Sequence, residues 1–382
     1  MKIVFLSNYF NHHQRPLSEA LFALTNGEYT FISTEEMSEE RAKMGYGEKD
    51  IPAFVKYTYR TDEEAAACQT LIDEADVVIR GSAPRHMVKN RLKAGKLTFY
   101  YSERIYKKCV PYPRLPLYFL KNLKNIIQYK NLYLLCASAY TAADYSKTFT
   151  FLDKAYKWGY FPAVKRYENV DKLIETKEKN TLLWVARFID WKHPELPITV
   201  AKRLRDEGYD FTLSMIGAGE LLETTKALVK QEGLEDCVHI VGPVKSDAVR
   251  AYMEKSEIFI FTSDRNEGWG AVLNESMNSA CAVVANRAIG SVPFLLRDGE
   301  NGYTYDDTEE LYRKVKALLD DAETRHRMAK EAYLTMTSEW NAENAAKKLL
   351  VLCEQMLAGE RKPAPFESGI CSKAKILRDP RV

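Results

Sequence analysis

The sequence predicts an α/β protein made of two doubly wound domains, and three observations carry that expectation. Short β-branched or aromatic runs alternate with longer helical patterns, as in parallel sheets built from strand-helix-strand units. The alternation pauses over residues 160–179 and then restarts. The chain has 382 residues, too many for one ordinary core at roughly 100 to 200 residues per domain.

In the first half the apolar runs place strands over 2–6, 29–33, 77–80, 97–101 and 133–137, with helical periodicity over 17–24 and 63–74. The second half repeats the scheme, with strands over 181–186, 211–216, 238–241, 258–262 and 282–285 and helices over 197–207 and 221–231. Between them, Pro162 and the charge-rich run Asp171, Lys172, Glu175, Lys177, Glu178 and Lys179 read as a linker. Domains are therefore expected over 1–170 and 171–382. Beyond residue 309 the pattern is helical as far as residue 357, and the tail with Pro363 and Pro365 reads as irregular.

Hydrophobic residues make up 46% and charged residues 28%, a balance that excludes a disordered chain. The longest apolar runs, such as 132–137, fall far short of the ~18 residues that cross a bilayer. Met1 leads straight into a strand-like run, so no secretion signal is expected. The seven cysteines are scattered, odd in number and never spaced C-x-x-C. That pattern disfavours a disulfide framework and a zinc site, and a cytoplasmic location is expected. The formal charge of +2 hides an asymmetry: residues 1–170 carry 25 Lys and Arg against 18 Asp and Glu, and the remainder carries 30 against 35.

Open parallel sheets bind ligands at the carboxyl ends of their strands, so two such sheets facing each other across a cleft make that cleft the default site. The strand over 258–262 runs into Ser263-Asp264-Arg265-Asn266-Glu267-Gly268-Trp269-Gly270, after which a helix begins and carries Glu275. Gly268 and Gly270 allow close backbone approach, and the first-turn N–H groups near Ala271 and Val272 point outward as an anion site. Taken alone, this reads equally as a capped turn with a solvated glutamate. The strand over 181–186 ends in Arg187 and, five residues on, Lys192, two cations suited to phosphate oxygens. Another strand ends in Gly217-Ala218-Gly219, which lacks the third glycine of the dinucleotide fingerprint. Several strand ends of one sheet thus carry glycines, cations or carboxylates together.

These residues resemble the donor domain of family 4 glycosyltransferases, which have the GT-B architecture of two Rossmann-like domains and retain anomeric configuration. The resemblance rests on residues 187–192, on Gly217-x-Gly219, on Glu267-Gly268-Trp269-Gly270 with Glu275, and on GSVPFLLRDGENG at 290–302. It implies a donor-binding domain over 171–382 whose final helices return to an acceptor-binding domain over 1–170. It further implies that Arg187 and Lys192 bind the diphosphate of a nucleotide sugar, and that Glu275 accepts from the ribose hydroxyls. Glu267 would lie beside the transferred sugar, and the backbone near Ala271 and Val272 would meet the phosphates. The implied activity is sugar transfer to an acceptor hydroxyl in cell-surface polysaccharide or glycolipid synthesis. The rival readings are a GT-B nucleotide-sugar epimerase and a nucleotide-sugar-binding regulator without catalysis.

No Asp-x-Asp stands at a strand end, so neither a metal nor a cofactor is expected. On the acceptor side, the loop after the first strand carries His12 and His13 in place of the adjacent glycines of many relatives, and the two read equally as cleft-facing residues or as a plain polar loop. The strand over 97–101 ends in Glu103 and Arg104, and Glu103 reads either as a ligand of an acceptor hydroxyl or, the favoured reading, as the ion-pair partner of Arg104. Over residues 85–130 twelve basic residues face one acid, Glu103, and are interleaved with Tyr and Leu. This mixture suits an anionic membrane surface or a lipid-linked acceptor, with a solvated basic face as the plain alternative. Nucleic acid is not expected as a partner, because the chain is nearly neutral and carries no recognition motif.

Overall fold

The computed structural model describes residues 1–38 and 50–377. The chain divides into two compact units, Met1–Ala163 with Trp340–Val382, and Val164–Glu339.

The first unit is built on a parallel sheet of seven strands: β1 (Ile3–Ser7), β2 (Tyr29–Ser33), β3 (Val55–Tyr57), β4 (Val77–Arg80), β5 (Thr98–Ser102), β6 (Leu132–Cys136) and β7 (Ala155–Lys157). Their order is β3-β2-β1-β4-β5-β6-β7, so the direction of winding reverses between β1 and β4. Helices cover both faces, which is why β1 and β6 are buried along their whole length and read as continuous apolar runs. The C-terminal helix Ala342–Leu357 packs on the helix Arg15–Leu24. The tail after it is ordered by pairing, where the sequence reads as irregular. The Lys157 N–H donates to the Ser372 carbonyl (2.8 Å) and the Ala374 N–H to that of Ala155 (3.0 Å). These bonds close the β7 edge of the sheet, which would otherwise present open backbone groups.

The second unit carries a parallel sheet of six strands: β8 (Glu178–Val185), β9 (Thr212–Ile216), β10 (Val238–Gly242), β11 (Ser256–Phe261), β12 (Ala282–Asn286) and β13 (Tyr303–Tyr305), in the order β10-β9-β8-β11-β12-β13. Here the reversal falls between β8 and β11. The stretch read as a linker holds the short helix Val170–Glu175 and the start of β8. Lys177 in that stretch is buried, and its ammonium donates to the carbonyls of Met253 (2.8 Å), Ser256 (2.8 Å) and Ser279 (3.0 Å). A charge-rich segment thus reads as solvated although one of its lysines is a core fastener. The sequence reading misses β3, β7 and β13, each of three residues, because so short a run cannot display an alternation.

Candidate functional site

The site of the second unit lies where its winding reverses, at the carboxyl ends of β8 and β11, the place where open sheets of this order take their ligands. From β8 the chain passes through Arg187 to a single turn, Asp190–Lys192, and from β11 it passes through Thr262 and Ser263 to Glu267. Lys192 and Glu267 are both buried, and the Lys192 ammonium donates to Oε2 of Glu267. The Ser263 hydroxyl donates to the same oxygen at 3.0 Å. Losing one member of such a pair costs about 3 to 5 kcal/mol, since a buried charge is left uncompensated.

Supporting bonds fix the two loops against each other. The Trp184 indole N–H donates to the Thr262 hydroxyl (2.7 Å), which in turn donates to the Lys192 carbonyl (2.6 Å). The Asp264 N–H donates to the Trp191 carbonyl at 3.1 Å. The Trp191 ring lies 4.4 Å from the Lys192 nitrogen and 5.7 Å from the guanidinium carbon of Arg187, so one indole holds both cations by their attraction to its π face. Arg187 is exposed and has no carboxylate partner among the described residues. His193 closes the turn in the left-handed region, φ 52°. Its Nδ1 lies 3.0 Å from Oε1 of Glu195 and its Nε2 3.5 Å from Oδ2 of Asp264. Asp264 and Glu195 raise its pKa to about 9.

The glycines have specific steric reasons. A Cβ on Gly217 would stand 1.9 Å from the Ala186 carbonyl oxygen, and one on Gly219 2.2 Å from that of Phe188. The two strand exits interlock there: the Phe188 N–H donates to the Ala218 carbonyl and the Leu221 N–H to the Phe188 carbonyl, both at 2.9 Å. Gly217 and Gly219 thus permit the loop contact on either side of Arg187. Gly270, at φ 86°, would press a Cβ to 2.6 Å from the Phe261 ring and 3.1 Å from Cγ of Glu267. Gly268 is buried in the same loop.

The Trp269 indole is turned into the core and donates to Oδ1 of Asn274 at 2.9 Å, so what this residue offers a ligand is backbone. Ala271 and Val272 open the helix Val272–Asn278, where N–H groups have no partner within the helix. Glu275 follows in its first turn, and burial pushes its carboxyl above the usual range, with the Arg250 cation opposing that shift. The 290–302 segment packs on this loop, with Gly290 and Ser291 donating to the carbonyls of Glu267 and Trp269, each at 3.3 Å.

In the first unit, His13 and Glu103 are linked through Tyr160. The Tyr160 hydroxyl donates to Oε1 of Glu103 at 2.6 Å, and the Tyr160 and His13 rings are 6.4 Å apart. The His12 ring lies tilted beside that of His13, their centroids 4.0 Å apart. Burial, with the His12 charge, lowers the His13 pKa to about 3, so His13 is neutral at ordinary pH. The expected Glu103–Arg104 pair does not form. Glu103 pairs with Lys107 at 2.8 Å, whereas Arg104 is buried beside the Tyr140 ring, 4.0 Å from the Asp144 carboxylate. Both residues lie just past the end of β5, and there Arg104 is buried while Glu103 is not.

Thr262, Ser263, Trp191, His193 and Asp264 were not singled out by sequence. Their only signal is adjacency to residues that were. Among the described residues no three His, Cys, Asp or Glu side chains are grouped as metal ligands, and no helix is long and apolar enough to cross a membrane.

Two parallel α/β sheets, with the second site at its switch point, give the chain the GT-B architecture seen in solved glycosyltransferases. Residues 165–335 match the family model of glycosyl transferases group 1, so the second unit carries the domain of that family. Among curated proteins the chain is similar to alpha-D-kanosaminyltransferase of Streptomyces kanamyceticus, 29% identical over 174 residues and 45% of each chain. It is also similar to the N-acetylgalactosamine-N,N'-diacetylbacillosaminyl-diphospho-undecaprenol 4-alpha-N-acetylgalactosaminyltransferase of Campylobacter jejuni, 32% identical over 150 residues and 38% of each chain. The matches span less than half the length of these relatives. HepE of Anabaena, solved in complex with UDP, shares the fold with a TM-score of 0.69 at 14% identity, over 93% of this chain and 100% of that one. WaaG, a glycosyltransferase involved in lipopolysaccharide biosynthesis, does so with a TM-score of 0.60 at 16% identity, over 94% and 100%.

Proposed function

We propose that the chain is a retaining, metal-independent glycosyltransferase of the hexosyltransferase type, moving a sugar from a nucleotide-diphosphate sugar to an acceptor hydroxyl. The observation that carries this reading is the buried Lys192–Glu267 pair at the switch point of a group 1 domain. An ammonium has three donors, so Lys192 can keep Glu267 and still reach a phosphate. Arg187, held over the same indole, supplies a second fork of donors. When the bond from the anomeric carbon to the diphosphate breaks, negative charge grows on the leaving phosphate, and fixed cations aimed there lower the barrier. The first-turn backbone at Ala271 and Val272 adds about 0.3 to 1 kcal/mol. Glu267 then faces the sugar, where positive charge develops, and Glu275 accepts from the ribose. The UDP of the HepE complex supports a nucleoside diphosphate as the leaving group.

The acceptor is a glycan or a lipid-linked saccharide of a cell-surface pathway, and the enzyme works in the cytoplasm at the inner face of the membrane. Supporting this, Lys108, Arg114, Lys121 and Lys124 are exposed beside exposed Tyr112, Leu117 and Leu120. Arg91 and Arg104, by contrast, are buried and take no part in such a surface.

A panel of nucleotide sugars tested by thermal shift, followed by hydrolysis of the stabilising donor, tests the reading. One donor should raise the Tm and be hydrolysed in the presence of a chelator. Activity that disappears with the chelator and returns with manganese contradicts metal independence. For the membrane contact, flotation with liposomes of anionic lipid at low salt should be lost when Lys107, Lys108, Lys121 and Lys124 are reversed.

A further inference from the structure

A second cluster of cations lies in the first unit, formed by residues outside its His13–Tyr160–Glu103 chain. Arg80 ends β4, the strand that flanks the winding reversal of that sheet. Its guanidinium carbon is 4.8 Å from the centroid of the Tyr100 ring, and that of Arg85, in the turn just after β4, is 5.6 Å from the same centroid. Arg85 donates to the Asn125 carbonyl at 2.9 Å. Arg80 has no hydrogen-bond or ion-pair partner among the described residues, and its Nε is buried.

Arg80 is half-buried, and the fully buried arginines of this unit are provided for. Arg91 donates to the Thr98 hydroxyl and to the carbonyls of Ile72, Ala75, Asp76 and Leu97, and Arg104 has Asp144. Among the described residues, the charged and titratable groups acting on Arg80 are Tyr100, Arg85 and Tyr145, none of them a carboxylate. Burial lowers its pKa, Tyr100 and Tyr145 oppose that shift, and the Arg85 charge adds to it. Two like charges therefore approach one buried ring with no counter-ion for Arg80 among the described residues, an arrangement that an arriving anion makes more favourable. Guanidinium forks match phosphate oxygens two at a time, and a pair of them suits a dianion better than a single carboxylate.

We infer that Arg80 and Arg85 form an oxyanion site that takes a phosphate or diphosphate group. The assignment of that group to the acceptor rests on the proposed function; the site itself does not. Tyr145, whose hydroxyl lies 3.4 Å from that of Ser102, stands at its border and can turn to donate.

The test uses the full chain carrying Arg187→Ala and Lys192→Ala, which removes the two phosphate-seeking cations of the second unit's site, titrated calorimetrically with inorganic pyrophosphate. This chain should bind, and adding Arg80→Gln should weaken binding at least tenfold. No binding, or binding unchanged by Arg80→Gln together with Arg85→Gln, overturns the site. Without anion, Arg80→Gln should melt no lower than its parent, because it relieves a repulsion; a clear drop in Tm would mark Arg80 as structural and also overturn the proposal. Vesicles of phosphatidylcholine with phosphatidic acid separate the sources. Arg80-dependent sedimentation assigns the phosphate to a lipid headgroup, and pyrophosphate binding without it assigns a soluble phosphate. UDP binding by the chain with Arg187 and Lys192 intact reads the second unit, so its failure would count against the proposed function alone.

Discussion

The ammonium of Lys192, on the turn after β8, donates to the carboxylate of Glu267, on the loop after β11, across 75 positions of sequence. The bond joins the two strand ends at which the winding of the second sheet reverses. It gathers a phosphate-seeking cation and a sugar-facing carboxylate into one buried unit.

Replacing Lys192 by Ala should lower kcat/KM by about ten- to a hundredfold, the loss of one hydrogen bond to a charged group at about 1.5 to 3 kcal/mol. Arg187→Ala should fall in the same range. Steady-state kinetics with the identified donor check both. The two differ in stability, because Arg187 is exposed and its loss should leave urea unfolding unchanged, whereas Lys192→Ala strands a buried carboxylate.

Glu275 opposes stability where it stands. Its carboxyl is raised above the unfolded value by burial, so the ionised form is disfavoured in the folded chain, and the cost is full above the folded pKa. Glu275→Gln should therefore stabilise the protein where Glu275 is ionised, with the gain fading as pH falls through the raised folded pKa and gone below that of an ordinary glutamate. Donor affinity should fall at the same time. Urea midpoints across pH and donor titrations read the two effects separately.

His193 gives a second pH signature. Its folded pKa of about 9 lies above the unfolded value near 6.5, so its contribution is complete below pH 6.5 and is lost as pH rises through 9. His193→Gln should be destabilised at pH 6 by about 1 kcal/mol, allowing for partial exposure, and should match the wild type above pH 10. A difference independent of pH would remove the charged histidine from the account.

A methyl group on Gly219 has nowhere to go, since 2.2 Å from a backbone oxygen is far inside contact. Gly219→Ala should destabilise the second unit by about 1 to 3 kcal/mol or more through forced backbone shifts. It should also weaken donor binding by displacing Arg187. Gly233→Ala, at φ 65° with open space around it, is the control for conformational strain alone.

The α/β class and the longer strands are legible because a parallel strand covered on both faces is a continuous apolar run, as 3–7 and 132–136 show. Glu267, Arg187 and Lys192 stand out because charged residues and glycines interrupt such runs at strand ends. What sets their geometry is not legible. Thr262 and Trp184 tie two loops together through contacts that no local spacing records. Arg104 and Glu103 are adjacent in sequence yet one is buried with Asp144 and the other bonded to Tyr160, so charge pairing read from neighbours misleads.

The central claim is tested most directly by the rate at which wild type and Glu267→Gln release nucleoside diphosphate from the stabilising donor, with binding of the free nucleoside diphosphate measured beside it. The account predicts a loss on the order of a hundredfold in rate, with nucleoside-diphosphate affinity within a few-fold of wild type. An unchanged rate would contradict it, as would a wild type that binds nucleotide sugars and releases nothing from any of them.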